Sequence, residues 1–208
     1  MALITSISTI RHAQTTYGEQ RRYAGTIDVP LSDSGRRDAQ VAARHLAAMR
    51  FDVVVTSALH RAIETARLLV GDTGAMLQTP LCNERNFGAI QGLTYDEVKA
   101  LDPPLLFIKV GDDTHSVNPA GGEPFEVLWE RAKKFRRLLF REYCGSRILV
   151  VSHGVFLQMF HGALRSSTCI ESLANYPLTL ELTTFTFSGR HLLGEKSSVL
   201  SDLEQVRF

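Results

Sequence analysis

Apolar positions change period several times along the chain, and each change marks an element. The opening "ALITSISTI" is mostly apolar with small polar interruptions, and predicts a strand that delivers Arg11 and then His12 at its carboxyl end. In "LSDSGRRDAQVAARHLAAMR", Ala39, Ala42, Ala43, Leu46 and Met49 recur at helical spacing with arginines opposite, which predicts an amphipathic helix. "DVVVTS" is short, β-branched and nearly continuous in apolar character, as in a strand covered on both faces. "HRAIETARLLV" predicts a second helix, closed by Gly71. "TPLCNERNFGAIQGL" reads as a short edge-like piece feeding a glycine-containing loop, and Thr94 with Glu97 has capping-box spacing for a brief helix.

From Asp102 to Pro124 the periodicity fades among Pro103, Pro104, Pro119 and three glycines, so a long loop or lid is expected there. Leu128, Ala132, Phe135 and Leu139 restore helical spacing up to Tyr143. "RILVVS" is another buried strand, followed at once by His153, Gly154 and the helix "VFLQMFHGALR". "LTLELTTFTF", Ser188-Gly189 and "RHLL" predict an antiparallel pair at the C-terminal edge. Alternating strands and helices without a repeat or linker predict one domain over 1–208, a three-layer α/β/α arrangement around a mainly parallel sheet. Ligands in such sheets bind beyond the carboxyl ends of the strands, which is where Arg11, His12 and His153 fall.

Composition narrows the function classes. A chain of 208 residues, 44% hydrophobic and 22% charged, has ordinary globular usage and room for one full core. A formal charge of +1 gives no general field for nucleic acid, and Lys133, Lys134, Arg136 and Arg137 in "RAKKFRRLLFR" fit a solvated helix face. Apolar stretches stop short of membrane-spanning length and no secretory leader pattern opens the chain, so the expectation is a cytoplasmic protein without a membrane partner. Cys82, Cys144 and Cys169 are too few and too far apart for a metal or redox pair and read as reduced, small core residues. "LTLELTTFTF" offers a strand edge on which a homo-oligomer could form.

Each candidate residue has an ordinary explanation when taken alone: a hydrogen-bonded structural imidazole for His12 or His153, a solvated arginine for Arg61, a local ion pair with Arg85 for Glu84. Together, two guanidiniums, two imidazoles and one carboxylate near strand ends form a set suited to a phosphoryl group. Guanidinium matches phosphate oxygens with forked hydrogen bonds and keeps its charge at any working pH. One imidazole could attack phosphorus while the other donates to a nonbridging oxygen, and the carboxyl could protonate the leaving oxygen. Ser152 in "VVSHGV" resembles a nucleophile elbow, but Val150 stands where that turn needs glycine. P-loop, zincin and dinucleotide patterns are lacking.

"RHAQT", "SALHRAIETA", "NERNFGAIQGL" and "VVSHGV", in that order, resemble the histidine phosphatase superfamily, which includes the cofactor-dependent phosphoglycerate mutases. The resemblance, over about residues 4 to 160, implies that His12 is phosphorylated, that Arg11, Arg61 and His153 bind the phosphoryl group, and that Glu84 is the proton donor. It further implies a small phosphate ester as substrate, no cofactor and a metal-free mechanism, with Thr15 near the phosphate and Gly25 and Asp28 in the turn after the first motif. Ala13, Gln14 and Gly18 depart from the Gly, Glu and Asn common in the family, leaving the pocket one donor short at Gly18 unless Arg22 or Thr15 compensates. Ala24 replaces a Ser that mutases use, and the interval from Glu84 to His153 is shorter than theirs, so a phosphatase is favoured over a mutase; a weakly active phospho-ligand binder is the other alternative, which Ala13, Gln14 and Gly18 support modestly. Phe87, Phe107 and Ile108 could contact an apolar part of the substrate, although core packing explains them as well.

Overall fold

The computed structural model describes residues 3–71, 76–117 and 119–200. In chain order its main elements are β1 (Ile4–Arg11), α1 (Thr16–Glu19), α2 (Asp33–Leu46), β2 (Val53–Ser57), α3 (His60–Val70), β3 (Met76–Thr79), α4 (Tyr95–Lys99), β4 (Phe107–Val110), β5 (Asp113–Ser116), α5 (Phe125–Glu142), β6 (Arg147–Ser152), α6 (Gly154–Arg165), β7 (Glu181–Ser188) and β8 (His191–Val199). Strand order in the main sheet is β3-β2-β6-β1-β7-β8. The first four are mutually parallel, and β7 and β8 add on antiparallel, as the alternation of elements predicts.

Period-two alternation divides the strands between two cores. Ile10, Val54, Leu149 and Val151 pack under α2 and α3 with Ala39, Ala42, Ala62 and Ala66, where small side chains let helices lie close to the sheet. Ile7, Val55, Ile148 and Val150 face the opposite side with Leu128, Phe135, Phe156 and Phe160 of α5 and α6. The result is the expected three-layer α/β/α arrangement.

Several expectations need correction. "LTLELTTFTF" does not present an edge, because β7 lies between β1 and β8 and buries Leu182, Phe185 and Phe187; β3 and β8 are the edges among the described residues. β8 also runs well past "RHLL" through "GEKSSV": being exposed, it needs no apolar alternation to hold its ladder. The edge-like piece expected from Thr79 lies earlier, as β3 at Met76–Thr79, and Pro80–Cys82 forms a single helical turn; with Leu77 and Gln78 exposed, β3 shows no alternation to mark it. α2 ends at Leu46, so Met49 lies beyond it and is exposed. Cys82 is buried, but Cys144 is exposed and is not a core residue. Within the stretch from Asp102 to Pro124 the chain forms the β4–β5 hairpin, pairing Phe107 with Ser116 and Val110 with Asp113; Asn118 lies outside the described residues.

One register sets up the site. Arg11 of β1 pairs with Ser152 of β6, and the next residue on each strand is a histidine. The His12 N–H donates to the Ser152 carbonyl at 2.9 Å, so both imidazoles leave adjacent parallel strands at the same level.

Candidate active site

His12 and His153 stand with ring centroids 5.1 Å apart. Between them, the buried Arg61 donates its Nε–H to His12 Nε2 at 3.3 Å and to His153 Nδ1 at 3.2 Å. A guanidinium has only donors, so both ring nitrogens must be acceptors and both imidazoles neutral. His12 then carries its proton on Nδ1, which donates to the Ala13 carbonyl at 2.7 Å, and its one lone pair is on Nε2, where it accepts the Arg61 Nε–H. His153 is protonated on Nε2, which donates to Ser57 Oγ at 2.6 Å. Burial, reinforced by the positive charge of Arg61, holds both imidazoles well below their ordinary pKa.

Arg61 is fixed in turn. Its Nη1 donates to the Ile27 carbonyl at 2.9 Å and its Nη2 to the Gly25 carbonyl at 2.7 Å, so the turn flagged by Gly25 holds the guanidinium. Gly25 has φ +54°, and a Cβ there would lie 2.0 Å from Gln91 Oε1, so a larger residue would be strained and would push the Gln91 amide aside. Asp28 accepts the His60 N–H at 2.8 Å, capping α3 one residue before Arg61. Desolvation draws the Arg61 pKa down to about 10, which leaves it charged at neutral pH.

Arg11, Thr15, Arg22 and Glu84 line, with His12, Gly25 and Arg61, a cavity of about 540 Å³, whereas His153, expected to bind the phosphoryl group, is fully buried behind Arg61 and spends its one N–H on Ser57. Arg11 donates Nη1 to the Pro177 carbonyl and lies 4.8 Å from the Tyr176 ring centroid, while its buried Nε has no hydrogen-bond partner among the described residues. Glu84 accepts the Arg85 and Phe156 N–H groups on Oε1 at 2.8 and 3.0 Å and the Val155 N–H on Oε2 at 3.2 Å, which places it at the N-terminus of α6. Thr15 is buried and caps α1 by accepting the Gly18 N–H. Arg22 stays at the rim, donating to Gln20 and the Gly92 carbonyl and pairing with Glu97 at 3.6 Å, so the geometry does not make it the substitute for a donor at Gly18. Gln14 fills that space instead: a Cβ on Gly18 would lie 2.1 Å from Gln14 Oε1, which itself accepts the Thr15 N–H. Ser152 donates its hydroxyl to the Cys82 carbonyl at 2.6 Å, a structural use that fits the rejection of a serine elbow.

The model of the histidine phosphatase superfamily (branch 1) matches residues 7–190. The chain belongs to this superfamily. It is 31% identical over 173 residues to phosphoglycerate mutase-like protein 4 of Arabidopsis thaliana, covering 81% of this chain and 75% of that protein. It is 34% identical to a bifunctional protein of Mycobacterium tuberculosis over 93% of its own length, and there it spans about half (52%) of the relative. Among solved structures, a mycobacterial glucosyl-3-phosphoglycerate phosphatase superposes with a TM-score of 0.77 at 24% identity, covering 94% of this chain and 98% of that one, which shows a shared fold.

Within this superfamily framework, several residues of the site carried no sequence signal. Arg131 belongs to the run read as a basic helix face, yet it donates to the carbonyls of Leu81, Asn83 and Glu84 and pairs twice with Glu123, clamping the segment that carries Glu84. Its neighbour Arg136 is half-buried over Phe140, whereas Lys134 and Arg137 are exposed as expected. Asp113 accepts the Tyr176 N–H at 2.7 Å and a Gln158 amide proton at 3.4 Å, tying the hairpin to the loop beneath Arg11. Ile108 packs on the core and does not line the cavity, unlike Phe87 and Phe107. Among the described residues no helix is long and apolar enough to cross a membrane.

Proposed function

We propose that this histidine phosphatase superfamily member hydrolyses a phosphate monoester in two steps through a phosphohistidine on His12. The observation that carries the reading is the His12 tautomer: Nδ1–H is bound to the Ala13 carbonyl, so the lone pair needed for attack is on Nε2, where its only partner among the described residues is the long 3.3 Å bond from Arg61 Nε–H, which His153 Nδ1 shares and which is released on attack. In the first step His12 Nε2 bonds to phosphorus, the bond from phosphorus to the ester oxygen breaks, and Glu84 gives that oxygen a proton. In the second, water attacks phosphorus, Glu84 takes its proton, and His12 leaves as a neutral ring. Glu84 Oε2, which accepts a single backbone N–H, has the lone pair for this exchange.

Arg61, Arg11 with its unpartnered Nε, the Thr15 hydroxyl and the Gln14 amide meet the phosphoryl oxygens in this reading, and His153 supports them from the neighbouring strand. Guanidiniums stabilise the charge that develops on those oxygens, a task that elsewhere falls to a metal ion. The test is brief incubation with a phosphorus-labelled monoester, then peptide mapping, with a panel of monoesters assayed with and without chelator. Label on His12, together with phosphate release that survives chelation, is the expected result. Label elsewhere, or isomer formation without phosphate release, overturns it.

A further inference from the structure

We propose that the cavity of this chain takes monoesters whose alcohol ends in a flat apolar ring, received by Tyr23, Phe87 and Phe107. This names the substrate class of the site assigned above and rests on its reading as the phosphoryl site. The first support is size: about 540 Å³ is the scale of a cavity for a whole organic ligand, and a phosphoryl group occupies a small part of it.

The second is the chemistry of the walls away from the histidines. Tyr23 stands edge-on to Phe87 with centroids 5.4 Å apart and 4.7 Å from Tyr95, forming a continuous aromatic surface. Phe107, on β4, lines the same cavity and remains 39% exposed, so core packing does not account for it. Its hairpin is pinned by Asp113 to the Tyr176 N–H, by His115 to the Leu173 carbonyl and by Ser116, whose carbonyl accepts Arg85 Nη1. A ring inserted there would stack on fixed aromatic faces and cover Phe107.

The third is what the charged groups nearby are doing. Arg22 is held by Gln20, the Gly92 carbonyl and Glu97; Lys99 pairs with Asp96 at 3.9 Å; Arg85 gives Nε and Nη1 to two carbonyls and lies 3.8 Å from the Phe125 ring centroid, with its buried Nη2 the one nitrogen of that fork lacking a hydrogen bond among the described residues. A carboxylate on a small alcohol would compete with the contacts that hold Arg22, Lys99 and most of Arg85, whereas an apolar ring needs none of these donors.

The test uses two phosphonates in which a methylene replaces the ester oxygen, so turnover plays no part: 3-phenylpropylphosphonate and 2-amino-4-phosphonobutanoate, titrated calorimetrically into the full chain. The phenyl compound is expected to bind about 10- to 100-fold tighter. Inorganic phosphate should displace both, and Phe107→Ala should shrink the ratio about 5-fold. Phe107→Leu, which keeps apolar bulk, should give an intermediate ratio. Equal binding, preference for the amino acid analogue, or phenyl binding that survives saturating phosphate overturns the inference. Because nothing is cleaved, failure of the hydrolysis reading would show separately, in the monoester panel.

Discussion

The two ends of the cavity are built on different principles. At the inner end, His12 and His153 follow neighbouring strands in register, and Arg61 rises from the first turn of α3 to touch both. At the outer end, Tyr23 and Phe87 sit on connecting segments and Phe107 on a two-stranded hairpin separate from the main sheet. Strand ends locked into a six-stranded sheet hold positions to within the tolerance chemistry needs, whereas loops and a short hairpin can change side chains without disturbing it. On the proposed function, reaction and specificity are therefore placed on separable parts of the fold.

If the separation is real, changes at the inner end should erase turnover for every ester alike. The largest effect is expected for His12→Ala, with kcat falling at least about 1,000-fold for all substrates and no acid-labile label on the protein. Arg61→Lys comes next. Lysine keeps the charge but cannot bridge two imidazoles while reaching the Ile27 and Gly25 carbonyls, so kcat/KM should drop about 100-fold in steady-state assays. Retention of activity in that variant would show that charge alone suffices and would break the geometric argument.

A third measurement asks whether the inner end was assembled at a cost in acid stability. His12, His153 and His161 are all held below ordinary imidazole values by burial, His161 at about 3. Their folded pKa values lie below the unfolded one of about 6.5, so the unfolded chain binds the extra protons and stability falls as pH drops below about 6.5. Between pH 6.5 and 5.5 each such histidine should remove about 1 kcal/mol, read from urea midpoints, with no contribution above neutrality. A flat profile over that range would contradict the neutral, buried imidazoles. The smallest effect concerns the boundary between the ends: Gly18→Asn should lower kcat/KM about 10-fold by displacing the Gln14 amide, and Gln14→Gly in the same chain should restore part of it. Independent, additive losses would mean the two positions do not share a space.

How legible was this in the sequence? Residues whose role follows from local pattern were readable: "DVVVTS" and "RILVVS" as doubly covered strands, the helix at His60, and the placement of Arg11, His12 and His153 at carboxyl ends. Readings failed where an element is exposed or a partner is remote. β3 and most of β8 lie at sheet edges and lack alternation, and the hairpin at Phe107 sits in a stretch whose prolines and glycines hid its pairing. Arg131 looked like one more charge on a basic helix, because nothing local shows that its fork reaches three carbonyls 47 to 50 residues earlier.

The amino-acid sequence by itself determined the periodicities, hence the layers, and it named the guanidiniums, imidazoles and carboxylate proposed to handle phosphate, because both depend on side-chain chemistry and short-range spacing. Only the tertiary structure decided which nitrogen of His12 carries the proton, that Gln14 fills the space over Gly18, and that Ile108 turns to the core while Phe107 lines the cavity. Those outcomes depend on contacts between segments distant in the chain, and the angstrom-scale fit of such contacts is not encoded in any one segment.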